Sequence, residues 1–381
     1  MGRLSTGKAC AIKKTPRSIV DSTEDEARVL MELAHKHIVK LYHHETTNPE
    51  YYFMALELCH GTLDGLATRN LDFAASKAII HQTLQAVDFL HNEGIAHRDL
   101  KPSNVLYVQT IKGISVRVAD FGISKKLDEA ATSYTMTHAG AGGTKGYQSQ
   151  EFVQYKNGFL PYWRPTNDDY KKGDMFALGL VIHSLLCSNK HPFSHPTKPN
   201  REEIRIEDGE RPNLSLLNNM FEAQHIVGRC IEHDPAHRLN ASECLSHPLF
   251  YSPRQRLQEI NRVFTRAKDK DVAARMGLHE KSTWKEAFKD CEEKDGTLLT
   301  GNYNNKGEGM IRFLRNIIEH SDEYDRTTKL QKSFRAHVRN WDTLPREEMI
   351  ARWIEVKKIG IWCRIYDVQQ TTSRSEETYG K

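Results

Sequence analysis

The string HRDLKPSNVL at 97–106 gathers on one stretch what phosphoryl transfer to a hydroxyl requires. Asp99 can orient and deprotonate an acceptor hydroxyl, and Lys101 can neutralise charge on the phosphoryl group as it moves. Asn104, five residues past Asp99, offers an amide oxygen to a magnesium ion. Sixteen residues further on, DFG at 120–122 supplies Asp120, a carboxylate for the magnesium that bridges nucleotide phosphates. Upstream, Lys13 in CAIK is placed to grip the first two phosphates, with Glu26 on the next helix as its ion-pair partner. A lysine two places after the aspartate favours serine and threonine acceptors over tyrosine.

These residues need rigid elements to bring them together. The first 60 residues read as strands around one helix: CAIKK at 10–14 and YYFMALELC at 51–59 are strands, and DEARVLMELA at 25–34 is an amphipathic helix. Helical stretches follow at 74–91, 174–188 and 218–232, and HPLF at 247–250 closes this part. The charged helix SPRQRLQEINRVF opens a second part that reads as helical throughout, broken by the loop GTLLTGNYNNKGEG at 296–309. The expected class is α+β, with a small β-rich lobe and a larger helical lobe over 1–250. An all-helical domain over 251–368 and a disordered tail over 369–381 are expected to follow.

Taken in order, CAIK, HRDLKPSN, DFG and GTKGYQSQE at 143–151 resemble the eukaryotic protein kinase family across residues 1–250. The resemblance implies ATP and Mg2+ as cofactors, with Asn104 and Asp120 as metal ligands. It makes Glu151 an anchor paired with Arg238 in DPAHRLNA, and Asp174 a brace under the catalytic loop. It also implies that Glu57 and Cys59, in the hinge ELCHGTL at 57–63, contact the nucleotide. The glycine-rich loop that covers phosphates in this family has no room before Lys13, so either the sequence starts inside the small lobe or the lobe is expected to hold nucleotide poorly. Thr132, Ser133, Tyr134, Thr135 and Thr137 are expected autophosphorylation sites, with Arg98 as the cation that a phosphate there would meet.

In the second part, GMIRFLRNIIEHSDEY at 309–324 reads as a helix on which Arg312, Asn316 and His320 recur every four residues, with Arg315 beside them. A cation, an amide and an imidazole suit metal-free RNA cleavage, in which a 2′-hydroxyl attacks the adjacent phosphate. The Glu-Leu-Cys hinge and the RNxxxH string resemble the inositol-requiring kinase/endoribonuclease group and its relative RNase L. That likeness implies His320 as acid, Arg315 and Asn316 on the phosphate, and Tyr303, twelve residues before Arg315, completing the set. It also implies RNA as substrate and homodimerisation through both domains, the kinase acting as a nucleotide- and phosphorylation-dependent switch in a stress or unfolded-protein response. The protein acceptor would then be a second copy in trans. The rival readings are a serine/threonine kinase with a C-terminal docking module, and a pseudokinase scaffold.

Composition narrows the setting without naming a partner. A net charge of +4 over 381 residues is too mild to imply nucleic-acid binding by itself. Seven scattered cysteines with no CxxC pair fit a reducing, cytoplasmic environment, or the cytosolic face of the endoplasmic reticulum if the chain belongs to a longer membrane protein. No run of 18 apolar residues occurs and the N-terminus lacks a signal-peptide pattern, so no membrane contact is expected within this chain.

Overall fold

The computed structural model describes residues 1–16, 20–45, 47–48, 50–69, 71–126, 143–195, 197, 201–210, 212–266, 307–320, 333, 335–338, 344, 346–356 and 366–367. The expected phosphosites at 132–137, Tyr303 and the tail at 369–381 lie outside them. Its contacts divide the chain into Met1–Leu245 and Ser246–Lys381.

The first unit opens with an antiparallel sheet made of β1 (Gly2–Arg3), β2 (Ala9–Pro16), β3 (Leu41–Glu45) and β4 (Tyr51–Glu57), in the order β1-β2-β4-β3. Along β2, the half-buried Ala11, Lys13 and Thr15 alternate with the exposed Ile12, Lys14 and Pro16, the alternation of a strand with one covered face. The helix α1 (Val20–Glu32) packs on that face with Glu26 and Ala27 buried. It starts five residues before the expected 25–34 and ends two residues short of it, and β2 runs past both ends of its expected range.

Beyond the hinge come β5 (Gly61–Thr62), α2 (Leu63–Ala67), α3 (Phe73–Asn92) and β6 (Ile95–Ala96), then β7 (Val105–Thr110), β8 (Gly113–Val118) and β9 (Lys125–Lys126). Asp72 caps α3 by accepting from Ala75 N at 2.6 Å. The hairpin β7–β8 carries the segment between Asn104 and Asp120, pairing Val105 with Val118 at its open end. The lobe is completed by α4 (Gln150–Lys156), α5 (Asn167–Leu186), α6 (Glu202–Glu207), α7 (Phe221–Cys230) and α8 (Ala241–Leu245). The central α5 is buried on nearly all sides from Asp174 to Leu185, as a helix without a solvent face must be. It crosses α7 at Gly179, where a Cβ would stand 2.6 Å from Ile231 Cγ2, so glycine sets that distance. It starts at Asn167 rather than 174, because Thr166 and Asp169 form a capping box that recruits the polar stretch before the apolar run.

His37 is buried and hydrogen-bonded through Nδ1 to Val116 O at 3.2 Å. Burial holds its pKa down to about 4, against an ordinary 6.5. Between these values the unfolded chain binds the proton and the folded chain does not, so stability is full above pH 6.5 and is lost as pH falls toward 4. The urea midpoint should therefore drop from pH 7 to pH 4.5, and His37→Asn should flatten part of that slope.

The second unit is described over three helices. They are α9 (Pro253–Arg266), α10 (Gly307–His320) and α11 (Arg346–Val356), and α9 packs against both others. In α10, Met310, Phe313, Leu314 and Ile317 are buried at helical spacing. Trp353 and Tyr366 are core residues, and Trp353 Nε1 donates to Ser333 Oγ at 2.9 Å. His247 stacks edge-on with Tyr366 at 4.9 Å, and Arg256 donates to Pro248 O. Such contacts place HPLF with the second unit and move the division a few residues ahead of 250. No helix among the described residues is long and apolar enough to cross a membrane.

Candidate active site

The catalytic loop is held from below by one carboxylate. Asp174 accepts from His97 N at 2.8 Å, Arg98 N at 2.7 Å and His91 Nε2 at 3.0 Å. Burial alone would raise its pKa, but the His91 hydrogen bond and the nearby imidazoles outweigh burial and lower it, keeping the carboxylate charged. Those bonds hold Arg98 at φ +68°, a left-handed conformation that costs a residue with a side chain on the order of 1–3 kcal/mol. Asp120 is held likewise at φ +67°. His97 joins the two segments: its Nε2 donates to Ala119 O at 3.0 Å while its Nδ1 accepts from Asp99 N at 3.3 Å.

The predicted residues of this unit converge in two groups. Lys13 Nζ lies 2.6 Å from Glu26 Oε2 and 2.9 Å from Asp120 Oδ1. Burial works to discharge the lysine, but Glu26 and Asp120 together overcome it and raise its pKa. For Glu26 burial wins over the same lysine, and its pKa rises. Asp120 is lowered: burial opposes ionisation, but the hydrogen bond and charge of Lys13 prevail. The second group surrounds Asp99, whose Oδ2 accepts from Lys101 Nζ at 2.8 Å and Asn104 Nδ2 at 3.0 Å. With its amide nitrogen turned to Asp99, Asn104 keeps its oxygen for a cation, and Asp120 keeps its second oxygen. This donor set, two hard oxygens beside a lysine, fits magnesium held jointly with nucleotide phosphates.

One residue that the sequence reading missed completes the second group. Thr144 donates to Asp99 Oδ1 from its backbone N at 2.8 Å and from Oγ1 at 2.7 Å, and it accepts from Lys101 Nζ at 2.6 Å. Its signal was present in GTKGYQSQE, but nothing local ties a threonine to an aspartate 45 positions earlier. The Glu57 carboxylate is engaged by Arg117 Nε at 2.8 Å, and its backbone N donates to Lys40 O at 2.8 Å. Cys59 Sγ is 3.8 Å from Glu57 O, and burial raises its thiol pKa to about 11, so it is an inert neighbour rather than a nucleophile.

Farther out, Arg238 is fully buried and grips Glu151 with two bonds, at 2.7 and 2.9 Å, as the two strings implied. Removing one partner strands a buried charge, so Glu151→Ala should lower the unfolding free energy of the full chain by about 3–5 kcal/mol in urea titrations.

The protein kinase domain model matches residues 2–250. The chain belongs to the protein kinase family. Domains of this family generally use ATP and Mg2+ to phosphorylate proteins. Among its relatives, human serine/threonine-protein kinase/endoribonuclease IRE2 is 30% identical over 261 residues, covering 66% of this chain and 27% of that protein. The ire-1 kinase/endoribonuclease of Caenorhabditis elegans is 26% identical over 336 residues, covering 83% of this chain and 33% of that protein. Calcium/calmodulin-dependent protein kinase type 1 of Caenorhabditis briggsae is 28% identical over 287 residues, covering 73% of this chain and 72% of that protein. The chain thus spans about a quarter to a third of the kinase/endoribonucleases it resembles. A crystal structure of the Rad53 kinase domain with SCD2 matches with a TM-score of 0.50 and 25% identity, over 65% of this chain and 81% of that one.

The nuclease candidates sit in the second unit. On α10, Arg315 and Asn316 are half-buried, Arg312 is exposed, and His320 is the last residue of the helix. The helix buries Met310, Phe313, Leu314 and Ile317 and leaves Arg312, Arg315 and Asn316 off that buried stripe.

Proposed function

We propose that this chain is an active serine/threonine kinase joined to a metal-independent endoribonuclease, with the kinase serving as the switch. The observation that carries the kinase half is the pair of assembled groups, Lys13–Glu26–Asp120 and Asp99–Lys101–Thr144. Asp99 takes the proton from the acceptor hydroxyl and Lys101 balances charge on the phosphoryl group. Lys13 fixes the nucleotide phosphates, and Asn104 with Asp120 would hold magnesium, which when bound neutralises those phosphates. A pseudokinase would have no need to keep both groups intact.

The nuclease half is supported by the RNxxxH string lying on a helix, and by the breadth of the ire-1 match. That match takes in more of the chain than residues 2–250 comprise. In this reading the 2′-hydroxyl gives its proton to solvent water as its oxygen bonds to phosphorus, the bond from phosphorus to the 5′-oxygen breaks, and His320 delivers a proton to that oxygen. Arg315 and Asn316 stabilise the phosphorane, and Tyr303 completes the set. RNA is the substrate, and the chain itself is the acceptor in trans. Dimerisation pairs two nuclease helices, as one RNA can contact both. The match to the calmodulin-dependent kinase favours a second reading, a kinase whose C-terminal helices only dock. Incubating a stem-loop RNA with the full chain in EDTA separates them. Cleavage to 2′,3′-cyclic phosphate ends, at a rate rising with chain concentration, supports the nuclease; intact RNA at every concentration supports docking.

A further inference from the structure

The loop from Gly143 to Ser149 is tied to the catalytic base at one end, where Thr144 donates twice to Asp99. Its middle turns through Gly146 at φ +80°, a conformation glycine adopts as readily as a negative φ, so the residue itself does not fix the turn and an outside contact must. The group that keeps it is His191, from the connection between α5 and α6. Its Nε2 donates to Gly146 O at 2.9 Å, and its Nδ1 accepts from Phe193 N at 3.2 Å. These two partners assign one tautomer. The ring also meets Tyr147 edge-on, with centroids 5.5 Å apart and planes at 87°. Burial lowers the imidazole pKa to about 4 against the opposing pull of the Gly146 bond, so the ring stays neutral near pH 7. None of the motifs that mark the site in sequence includes this histidine.

We propose that His191 is a positioning residue that clamps the loop Thr144–Gln148 beside Asp99 and so sets how an acceptor serine or threonine segment seats against the base. It rests on the kinase reading above. Nucleotide binding is left untouched, because Lys13, Glu26 and Asp120 make their bonds to one another and not to this loop. Without the clamp Gly146 is free to leave this conformation, and the base then meets fewer acceptors in line.

Three substitutions separate the bond from the packing. His191→Phe keeps the ring beside Tyr147 and removes both hydrogen bonds. His191→Asn retains an acceptor near the Nδ1 position and loses the donor to Gly146. His191→Gln can still reach Gly146 O with an amide N–H. With dephosphorylated casein as acceptor, the Phe and Asn variants should raise the acceptor KM about tenfold and leave the ATP KM within about twofold, and Gln should restore most of the loss. If the Phe variant does not fold, the Asn and Gln pair decides. Equal rises in both KM values, an acceptor KM within twofold of wild type in the Asn variant, or a Gln variant as impaired as Asn overturns the clamp. Amide exchange gives an arm independent of activity: Thr144 and Gly146 should exchange faster in the Asn variant, and unchanged protection overturns the proposal. A wild-type chain that transfers no phosphate defeats the kinase reading, while the exchange arm still reports on the clamp.

Discussion

Asp99→Asn should slow phosphate transfer by about a thousandfold while nucleotide affinity stays within about threefold. The substitution keeps the volume of the side chain, so packing is not what it tests. It replaces a carboxylate that accepts four hydrogen bonds by an amide with one acceptor and two donors. Turned one way, the new NH2 faces Thr144 N and Oγ1, which both donate to Oδ1. Turned the other way, it faces Lys101 Nζ and Asn104 Nδ2. Either choice sets donor against donor and removes the charge that takes the acceptor proton. The nucleotide grip should survive, because Lys13 is paired with Glu26 and Asp120 and with nothing in the Asp99 group. Steady-state transfer to casein and equilibrium titration with a fluorescent ATP analogue measure the two quantities. A variant that transfers phosphate at the wild-type rate would mean that Asp99 is not the base. A variant that loses nucleotide affinity as steeply as rate would mean that the two groups are one unit.

Legibility from sequence followed the range of the interactions. Asp99, Lys101 and Asn104 were readable because one short loop carries all three, and Asp120 and Glu151 because each sits in its own short string. The helix face of α10 was readable because its period is local, and Met310, Phe313, Leu314 and Ile317 are buried as that period required. The bonds Thr144 to Asp99, His91 to Asp174 and Arg117 to Glu57 span 45, 83 and 60 positions, and no pattern within a window reports them. Glu57 is a case in point: its carboxylate is committed to Arg117 on β8, a partner that the hinge string does not report. The extra turns of α5 had a local signal in Thr166 and Asp169, which the apolar pattern outweighed. The division near residue 246 was legible to within a few residues from HPLF and the charged helix after it, and its last step depends on His247 meeting Tyr366 far along the chain.

His320→Ala should reduce metal-free RNA cleavage by about a thousandfold and leave phosphate transfer to casein unchanged. The expected size follows from the role: without an acid, the departing 5′-oxygen leaves as an alkoxide, and the imidazole is the side chain that titrates nearest to neutral pH. The fold should not answer for the loss, because α10 is anchored by Met310, Phe313, Leu314 and Ile317, and His320 stands at its last position. Arg315→Ala should cost less in rate than in RNA affinity, since its guanidinium meets charge in the bound RNA as well as in the phosphorane. Retained transfer also separates output from switch: a nuclease lost with the kinase intact places the chemistry in the second unit. Asp99→Asn tested on the same RNA then asks whether the switch needs phosphate transfer or only nucleotide binding. Cleavage that persists in that variant with ATP present would assign the switch to binding, because the Lys13–Glu26–Asp120 group is untouched. Equal cleavage by wild type and His320→Ala would remove His320 from the site, and the matching spacing of Arg315 and Asn316 would then be only the polar side of a packed helix.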